Sequence, residues 1–197
     1  MTKGDDTRIR ILDAALELFW KRSFHSVKTA EICKSAGINK ATLYRYFPSK
    51  LELAVQGVKQ GRDRTLAYVF EGAFEKRSEP RLRLREIFER IYATHSLVRK
   101  NGEQCPGCPF VNLGVEVGTQ YPEILKAVNA SFGSFRPFYR QIVIALNSEP
   151  GRERLEPGAT ADSLLQIMNA GMVGSKLKND PEEIRRARKI AERLLNI

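Results

Sequence analysis

The sequence predicts an all-α fold, and three observations lead to that expectation. Apolar residues recur at helical spacing, as Leu12, Ala15 and Phe19 do near the N-terminus. Proline and glycine residues stand between the periodic segments, where helices begin and end. No stretch of any length alternates apolar and polar residues with the two-residue period of a strand. We therefore expect helices along the whole chain of 197 residues.

Two short helices joined by a turn are predicted in the stretch TAEICKSAGINKATLYRYFPSK, which begins at Thr29. Gly37 ends the first helix, and Asn39 is suited to cap the second. The second helix runs to about Tyr46, with Leu43 facing the same core as the first helix. Its outward side chains are polar or basic: Lys40, Thr42, Tyr44 and Arg45. This pattern is typical of a helix-turn-helix, whose second helix lies in the major groove of DNA.

The run AGINKATLYRYFPSK, from Ala36 to Lys50, resembles the DNA-binding segment of TetR-family transcriptional regulators. It matches the pattern AG-[IV]-[NS]-K-x-T-L-Y-x-[HY]-F-x-[ST]-K. Ala41 stands where glycine is commoner, and Cys33, expected to be a small buried apolar group, stands where alanine is commoner. The resemblance implies a helix-turn-helix DNA-binding domain over 1–48 and a C-terminal ligand-binding and dimerisation domain over 49–197.

The resemblance also implies which residues contact DNA. Base-edge contacts are expected from Lys40, Thr42 and Tyr44, and phosphate contacts from Thr29, Tyr46 and Lys50. A helical wheel of the second helix agrees with this assignment. For Tyr44 and Tyr46, packing against the first helix is an equally open interpretation, because tyrosine often serves both roles. The expected partner is a double-stranded, palindromic DNA operator bound by a homodimer.

The charge of the chain agrees with a polyanionic partner. The formal net charge is +10, and residues 1–50 hold ten Lys and Arg against five Asp and Glu. No apolar stretch approaches the roughly 18 residues of a membrane span, and the N-terminus lacks the layout of a signal peptide. Three cysteines do not suggest a disulfide framework. We expect a cytoplasmic bacterial protein associated with the nucleoid, and no membrane partner.

The remaining helices are predicted from caps, prolines and apolar spacing. Asp6 or Thr7 is expected to cap the first helix, and Pro137 to kink or interrupt a later one. A capping box, Ser49 to Glu52, is expected to start a helix that extends through the seventies. The other predicted helices are Pro80 to about Arg99, Phe110 to about Thr119, Pro122 to about Ser148, and roughly 160–178 and 181–195.

The last two helices are expected to form the dimer interface. The helix over 160–178 is apolar on almost every side. One face can pack against its own domain, and the other is then expected to be covered by a partner subunit. The final helix carries an apolar stripe opposite a charged face. This pair resembles the four-helix interface of TetR-family dimers, to which each subunit contributes two helices.

The resemblance implies a small-molecule effector. In this family, a ligand pocket in the C-terminal domain is coupled to the distance between the two DNA-binding domains of the dimer. Such a ligand must bind the DNA-incompetent arrangement more tightly. Plain core packing is the alternative for each candidate pocket residue. These candidates are Phe88, Tyr92, Phe110, Asn112, Tyr139 and Met168.

The sequence Cys105-Pro106-Gly107-Cys108 permits several interpretations. Zinc would need about four ligands, and the pair supplies two. A regulatory thiol is one remaining reading, because Cys108 stands at the expected start of a helix, where a thiol pKa falls. The segment GCPFVNLGVEVG also resembles that of TetR regulators whose cysteine responds to electrophiles or oxidants. Inert cysteines beside a noncovalent hydrophobic effector are the alternative.

Two other functions compete with a regulator. One is a C-x-x-C thiol oxidoreductase, which would place its motif after a strand in a βαβ unit, and the other is a protein that coats DNA without sequence preference. The sequence has no glycine-rich phosphate loop and no Ser, His and Asp grouping for catalysis. We expect no enzyme activity, no cofactor and no metal site.

Overall fold

The computed structural model describes residues 3–197, with side chains from residue 4 onwards. Every regular element in this range is a helix, which confirms the predicted all-α class. The α-helices are α1 (Lys3–Lys21), α2 (Thr29–Ala36), α3 (Lys40–Tyr46), α4 (Lys50–Thr65), α5 (Gly72–Lys76), α6 (Pro80–Lys100), α7 (Pro109–Val117), α8 (Pro122–Asn147), α9 (Pro157–Lys178) and α10 (Glu182–Leu194). A π-helical segment, Leu66–Glu71, joins α4 to α5.

The chain divides into two compact units. The first unit is the chain up to Asp63 together with Pro109–Ser131, and the second is Arg64–Cys108 together with Phe132–Ile197. Each unit thus contains two separate stretches of sequence. The proposed functional division into 1–48 and 49–197 stays a prediction.

The helix-turn-helix in the first unit has the local geometry that its sequence predicts. Gly37 has φ 65°, in the left-handed region that glycine adopts without strain, and its N–H donates to the carbonyls of Cys33 and Lys34. Asn39 caps α3, because its side-chain oxygen accepts a hydrogen bond of 2.8 Å from the N–H of Thr42. Leu43 is the residue of α3 whose side chain is buried.

The first helix begins earlier than the sequence suggests. Since α1 starts at Lys3, Asp6 and Thr7 lie inside the helix and do not cap it. Acidic residues in a first turn are favourable there, because they face the positive end of the helix dipole. Leu12, Ala15 and Phe19 on its inner face are buried, which is what their helical spacing predicts.

The helix after the helix-turn-helix starts as predicted and changes geometry midway. Ser49 Oγ accepts a hydrogen bond of 3.0 Å from the N–H of Glu52, so the serine caps α4. The helical path continues through the π-helical segment into α5, as expected for a helix reaching the seventies. The π-helical geometry itself was not predicted.

An aromatic cluster forms the core of the second unit. The rings of Phe70 and Phe135 stack with centroids 4.9 Å apart, and Tyr139 meets Phe70 edge-on at 5.6 Å. Helix α8 runs through Pro137, so the predicted interruption there is wrong, and the alternative of a kink stays a prediction. Pro137 and Gly133, whose carbonyl loses its usual partner, are both exposed, so water can satisfy that carbonyl.

Candidate nucleic-acid interface

The outer face of α3 presents donors and positive charge. Lys40 and Arg45 are exposed, and Tyr44 keeps 47% of its surface accessible. Leu43 is only 1% exposed, so the helix has one face fixed in the core and one free face. A helix of this kind can enter the major groove and offer side chains to base edges.

The other predicted DNA-binding side chains near α3 are half-buried. Thr42 uses its backbone N–H in the Asn39 cap, and Thr29 is the first residue of α2. The ring of Tyr46 lies 5.3 Å from the guanidinium carbon of Arg45, a cation–π distance. The structure thus places Lys40 and Tyr44 farther into solvent than Thr29, Thr42 and Tyr46.

Lys50 points towards protein atoms in the structure. Its ammonium donates a hydrogen bond to the carbonyl of Phe24 and lies 4.5 Å from the centroid of the Phe24 ring. Burial lowers the pKa of Lys50, while the charges of Glu116 and Glu31 act in the opposite direction. Its predicted contact with a DNA phosphate stays a prediction, and the side chain already has a role inside the unit.

Two carboxylates form hydrogen bonds with the loop between α1 and α2, residues 22–28. Glu116 of α7 accepts hydrogen bonds from the backbone N–H groups of Phe24 at 2.8 Å and His25 at 2.9 Å. Glu31 of α2 accepts from the N–H of Lys28 at 2.8 Å and also pairs with Arg22. The Arg22 guanidinium and the Lys28 N–H hold the pKa of Glu31 below its usual value.

Sequence reasoning did not find Glu116. Its partner Phe24 lies 92 positions earlier in the chain, and no local pattern links the two. The only sequence signal is an acidic residue on the otherwise apolar helix FVNLGVEV, which is a weak indication.

The predicted effector-pocket residues do not form one group. Tyr139 and Met168 meet in the second unit, where the tyrosine hydroxyl lies 3.0 Å from the methionine sulfur. Burial raises the pKa of Tyr139 far above its usual value. Phe88 is buried in the same unit, whereas Phe110 and Asn112 belong to the first unit.

Tyr92, one of the predicted pocket residues, lines a surface hollow of the second unit. The hollow has a volume of about 540 Å³, and its lining residues are Tyr68, Tyr92, Ala93, Thr94, Ser96, Leu97 and Lys100. The ring of Tyr92 also contacts Arg185, whose guanidinium carbon lies 3.6 Å from the ring centroid.

Cys105 and Cys108 are both buried, and neither is part of a disulfide. The N–H of Cys105 donates to the side-chain oxygen of Asn179 at 3.0 Å. Burial raises the pKa of the Cys105 thiol. Cys108 immediately precedes Pro109, the first residue of α7, as the sequence predicts.

Within residues 3–197, no group of three or more His, Cys, Asp and Glu side chains is arranged to hold a metal ion. None of the helices described combines the length and the apolar character that a membrane crossing requires.

Family models match both parts of the chain. Residues 11–56 match the bacterial regulatory proteins of the tetR family, and residues 80–191 match the tetracyclin repressor-like C-terminal domain. The second match alone covers more than half of the sequence. The chain belongs to the TetR family. It is therefore a transcriptional regulator of the TetR type with a helix-turn-helix that binds DNA.

Curated relatives of this TetR-family chain match it over part of its length. The HTH-type transcriptional regulator UidR of Escherichia coli K12 is 44% identical over 66 residues, which are 34% of either chain. The HTH-type transcriptional activator FasR of Mycolicibacterium smegmatis is 34% identical over 88 residues, 45% of this chain and 40% of the relative. The chain thus aligns with less than half the length of these relatives.

Solved TetR-family structures match almost the entire chain. SCO4454 of Streptomyces coelicolor superimposes with a TM-score of 0.80 at 23% identity, over 98% of this chain and 95% of that one. The reduced form of E. coli NemR gives 0.75 at 19% identity, over 95% and 96%. At these identities the likeness establishes the fold.

Proposed function

We propose that this TetR-family regulator is a repressor that binds a palindromic operator as a homodimer and is released by a small-molecule effector. The observation that carries the proposal is the two-sided character of α3. Leu43 anchors one face, while Lys40 and Tyr44 are exposed on the other. An anchored helix with free donors can read base edges without first rearranging.

The contacts fall into two groups in this proposal. Lys40, Thr42 and Tyr44 contact base edges and set the sequence preference, whereas Thr29, Tyr46 and Lys50 contact phosphates and set the register. For Lys50 this requires its ammonium to serve both the Phe24 carbonyl and a phosphate. A lysine ammonium has three donors, so both contacts are chemically compatible.

Dimerisation through α9 and α10 is supported by apolar side chains that the single chain leaves in water. Leu177 of α9 is 80% exposed, and Ile190 and Leu194 of α10 are 54% and 38% exposed. Exposed apolar residues gathered on two packed helices favour association with a second copy. Two copies present two recognition helices, which suit half-sites about one helical turn apart or somewhat more.

The effector acts by population shift. A compound releases DNA only if it binds the DNA-incompetent arrangement more tightly than the competent one. Within the second unit, the proposed pocket comprises Phe88, Tyr92, Tyr139 and Met168. An apolar, noncovalent effector suits the aromatic character of these residues.

A second candidate mechanism has Cys108 respond to an electrophile or oxidant, with Cys105 as the resolving thiol. Its support is the position of Cys108, which is not in a disulfide, directly before α7. Burial of both thiols favours the noncovalent alternative, because an electrophile must first reach the sulfur. If Cys108→Ser leaves release by quinones, aldehydes and oxidants intact, the thiol mechanism is wrong.

Selection of bound duplexes from a random DNA pool tests the proposed function. We expect enrichment of a two-fold symmetric sequence, whereas a protein that coats DNA would enrich none. Repeating the selection with and without reductant tests the dependence on the thiols. A reporter gene placed behind the selected operator should be repressed, and activation of that reporter would contradict the repressor role.

A further inference from the structure

The α1–α2 loop, residues 22–28, depends on a side chain far outside the helix-turn-helix. The two carboxylate oxygens of Glu116 each accept one backbone hydrogen bond, from Phe24 at 2.8 Å and from His25 at 2.9 Å. Both residues and Glu116 belong to the first compact unit. The family model of the DNA-binding region ends at residue 56 and does not include this carboxylate.

Both backbone polar groups of Phe24, its N–H and its carbonyl, form hydrogen bonds with charged side chains. Its N–H donates to Glu116, and its carbonyl accepts from the Lys50 ammonium at the start of α4. The ring of Phe24 is buried, and its centroid lies 5.5 Å from the ring centroid of Phe19 and 5.5 Å from that of Tyr121. Opposite charges thus stand at the N–H and the carbonyl of one residue, and side chains from α1, α4 and α7 contact it.

The position of this loop determines where α2 begins. Val27 is completely buried, and Thr29, the first residue of α2 and a predicted phosphate contact, follows two positions later. An N–H that donates to a carboxylate forms a charge-assisted bond, stronger than one between neutral groups. Without the carboxylate, the partly buried N–H of Phe24 loses its hydrogen-bond partner. Because an unpaired buried N–H costs free energy, we expect the loop to adopt other conformations.

We infer that Glu116 is a positioning residue for operator recognition, which holds the α1–α2 loop so that the helix-turn-helix is already in its DNA-reading arrangement. This inference rests on the proposed function. Glu116 itself touches no DNA in this account. Glu116 raises the fraction of molecules whose helix-turn-helix is in the conformation that binds the operator. The apparent affinity for the operator is proportional to that fraction.

Glu116→Gln is the first test variant. Glutamine has the same length but a single acceptor oxygen, and its NH₂ group opposes one of the two backbone N–H groups. We expect the operator Kd to rise about ten-fold, in line with the loss of one charge-assisted bond. Non-specific DNA needs only positive charge, so its Kd should stay within about two-fold.

Glu123→Gln is the matched control, since Glu123 is exposed on α8 and the substitution changes the net charge equally. It should leave both affinities unchanged. Glu116→Asp keeps the charge but draws the carboxylate back by one methylene, and we expect it to weaken operator binding as well. Amide hydrogen exchange at Phe24 and His25 should accelerate in both Glu116 variants and not in the control.

The outcomes separate this inference from the proposed function. If the wild-type protein prefers no symmetric duplex, the proposed function and the inference both fall. If the wild type has a selected operator and Glu116→Gln binds it as Glu123→Gln does, only the inference is wrong. A parallel loss of operator and non-specific binding at normal amide exchange of the loop would equally contradict it.

Discussion

Lys40 and Tyr44 are the residues on which operator recognition is expected to depend most. Replacing either with alanine should raise the operator Kd, because a base-edge contact contributes about 1–3 kcal/mol of discrimination. The thermal midpoint should not change, since both side chains are exposed. Fluorescence anisotropy with labelled duplex measures the Kd.

Lys59→Ala is the control for the Lys40 variant. Lys59 is exposed on α4 and not among the predicted contacts, so it tests the loss of one positive charge alone. Equal affinities for Lys40→Ala and Lys59→Ala would remove Lys40 from the base-reading group.

His95 should make folding stability depend on pH. Burial lowers its pKa from 6.5, while hydrogen bonds to the backbone of Ile91 and Gly107 oppose that shift. The unfolded chain therefore takes up a proton at higher pH than the folded one. This contribution to stability is complete above pH 6.5 and is lost as the pH falls through that value towards the lower folded pKa.

Urea unfolding between about pH 5.5 and 7.5, above the range of ordinary carboxylates, measures this effect. The free energy of unfolding should fall towards the acid end in the wild type. His95→Gln should flatten that slope, whereas His25→Gln, at an exposed histidine, should retain it. An identical slope in both variants would mean that His95 does not cause the pH dependence.

Two residues illustrate how far sequence reasoning reaches at this scale. The cap by Asn39 could be predicted because donor and acceptor lie three positions apart. The inward orientation of Lys50 could not, because its carbonyl partner lies 26 positions earlier, at Phe24. A motif gives the residue type, but tertiary contacts decide where a long side chain points.

At the scale of elements, the π-helical segment Leu66–Glu71 is stabilised by Arg90. The guanidinium donates to the carbonyls of Tyr68 at 2.7 Å and Gly72 at 2.9 Å. π-helical geometry breaks the ordinary hydrogen-bond pattern of a helix, and Arg90 provides donors for these two carbonyls. No sequence periodicity predicts this geometry, because it depends on a side chain from α6.

Gly72→Ala should disturb that support. A Cβ at Gly72 would lie 2.6 Å from Arg90 Nη1, so the guanidinium must move away from its carbonyl partners. We expect a loss of about 1–3 kcal/mol in the free energy of unfolding, reduced in part by the higher helix propensity of alanine. Chemical denaturation provides the measurement.

Gly133→Ala is the opposite case on α8. Nothing lies within 4 Å of a Cβ at that position, so the substitution should stabilise the protein by about 0.5–1 kcal/mol. Destabilisation by both variants, or by neither, would contradict the role given to Arg90.

Helix boundaries followed the sequence where a cap or proline marks them. Pro80 and Pro122 each begin a helix, as predicted. The start of α1 was missed because acidic residues suit both a cap and a first turn. The sequence leaves open whether Pro137 kinks or interrupts α8, because the exposure that makes the proline tolerable within a continuous helix is a property of the fold.

At the scale of the whole molecule, the helix pair α9 and α10 is closely packed within one chain and leaves Leu177, Ile190 and Leu194 exposed among charged side chains. A Cβ at Gly171 would lie 2.6 Å from that of Ala187, so glycine permits the close approach of the two helices. The sequence predicted the pair and its apolar character. The division into two compact units, each built from separate stretches, depends on contacts distant in sequence.

Ile190→Glu should convert the proposed dimer into monomers. Ile190 is 54% exposed in the single chain, so the fold should tolerate glutamate, but a buried, unpaired carboxylate would oppose association. Light scattering after size exclusion gives the mass, and circular dichroism checks the helices. Leu97→Glu, at an exposed leucine of α6 outside the pair, is the control and should remain dimeric.

The most direct test of a symmetric dimer on a palindrome is an anisotropy titration with two duplexes. One carries the selected operator, and the other has one half-site scrambled at equal length and composition. The account predicts two chains per intact operator and a large loss of affinity when one half-site is scrambled. Equal affinity for both duplexes, or one chain per intact operator at saturation, would contradict it.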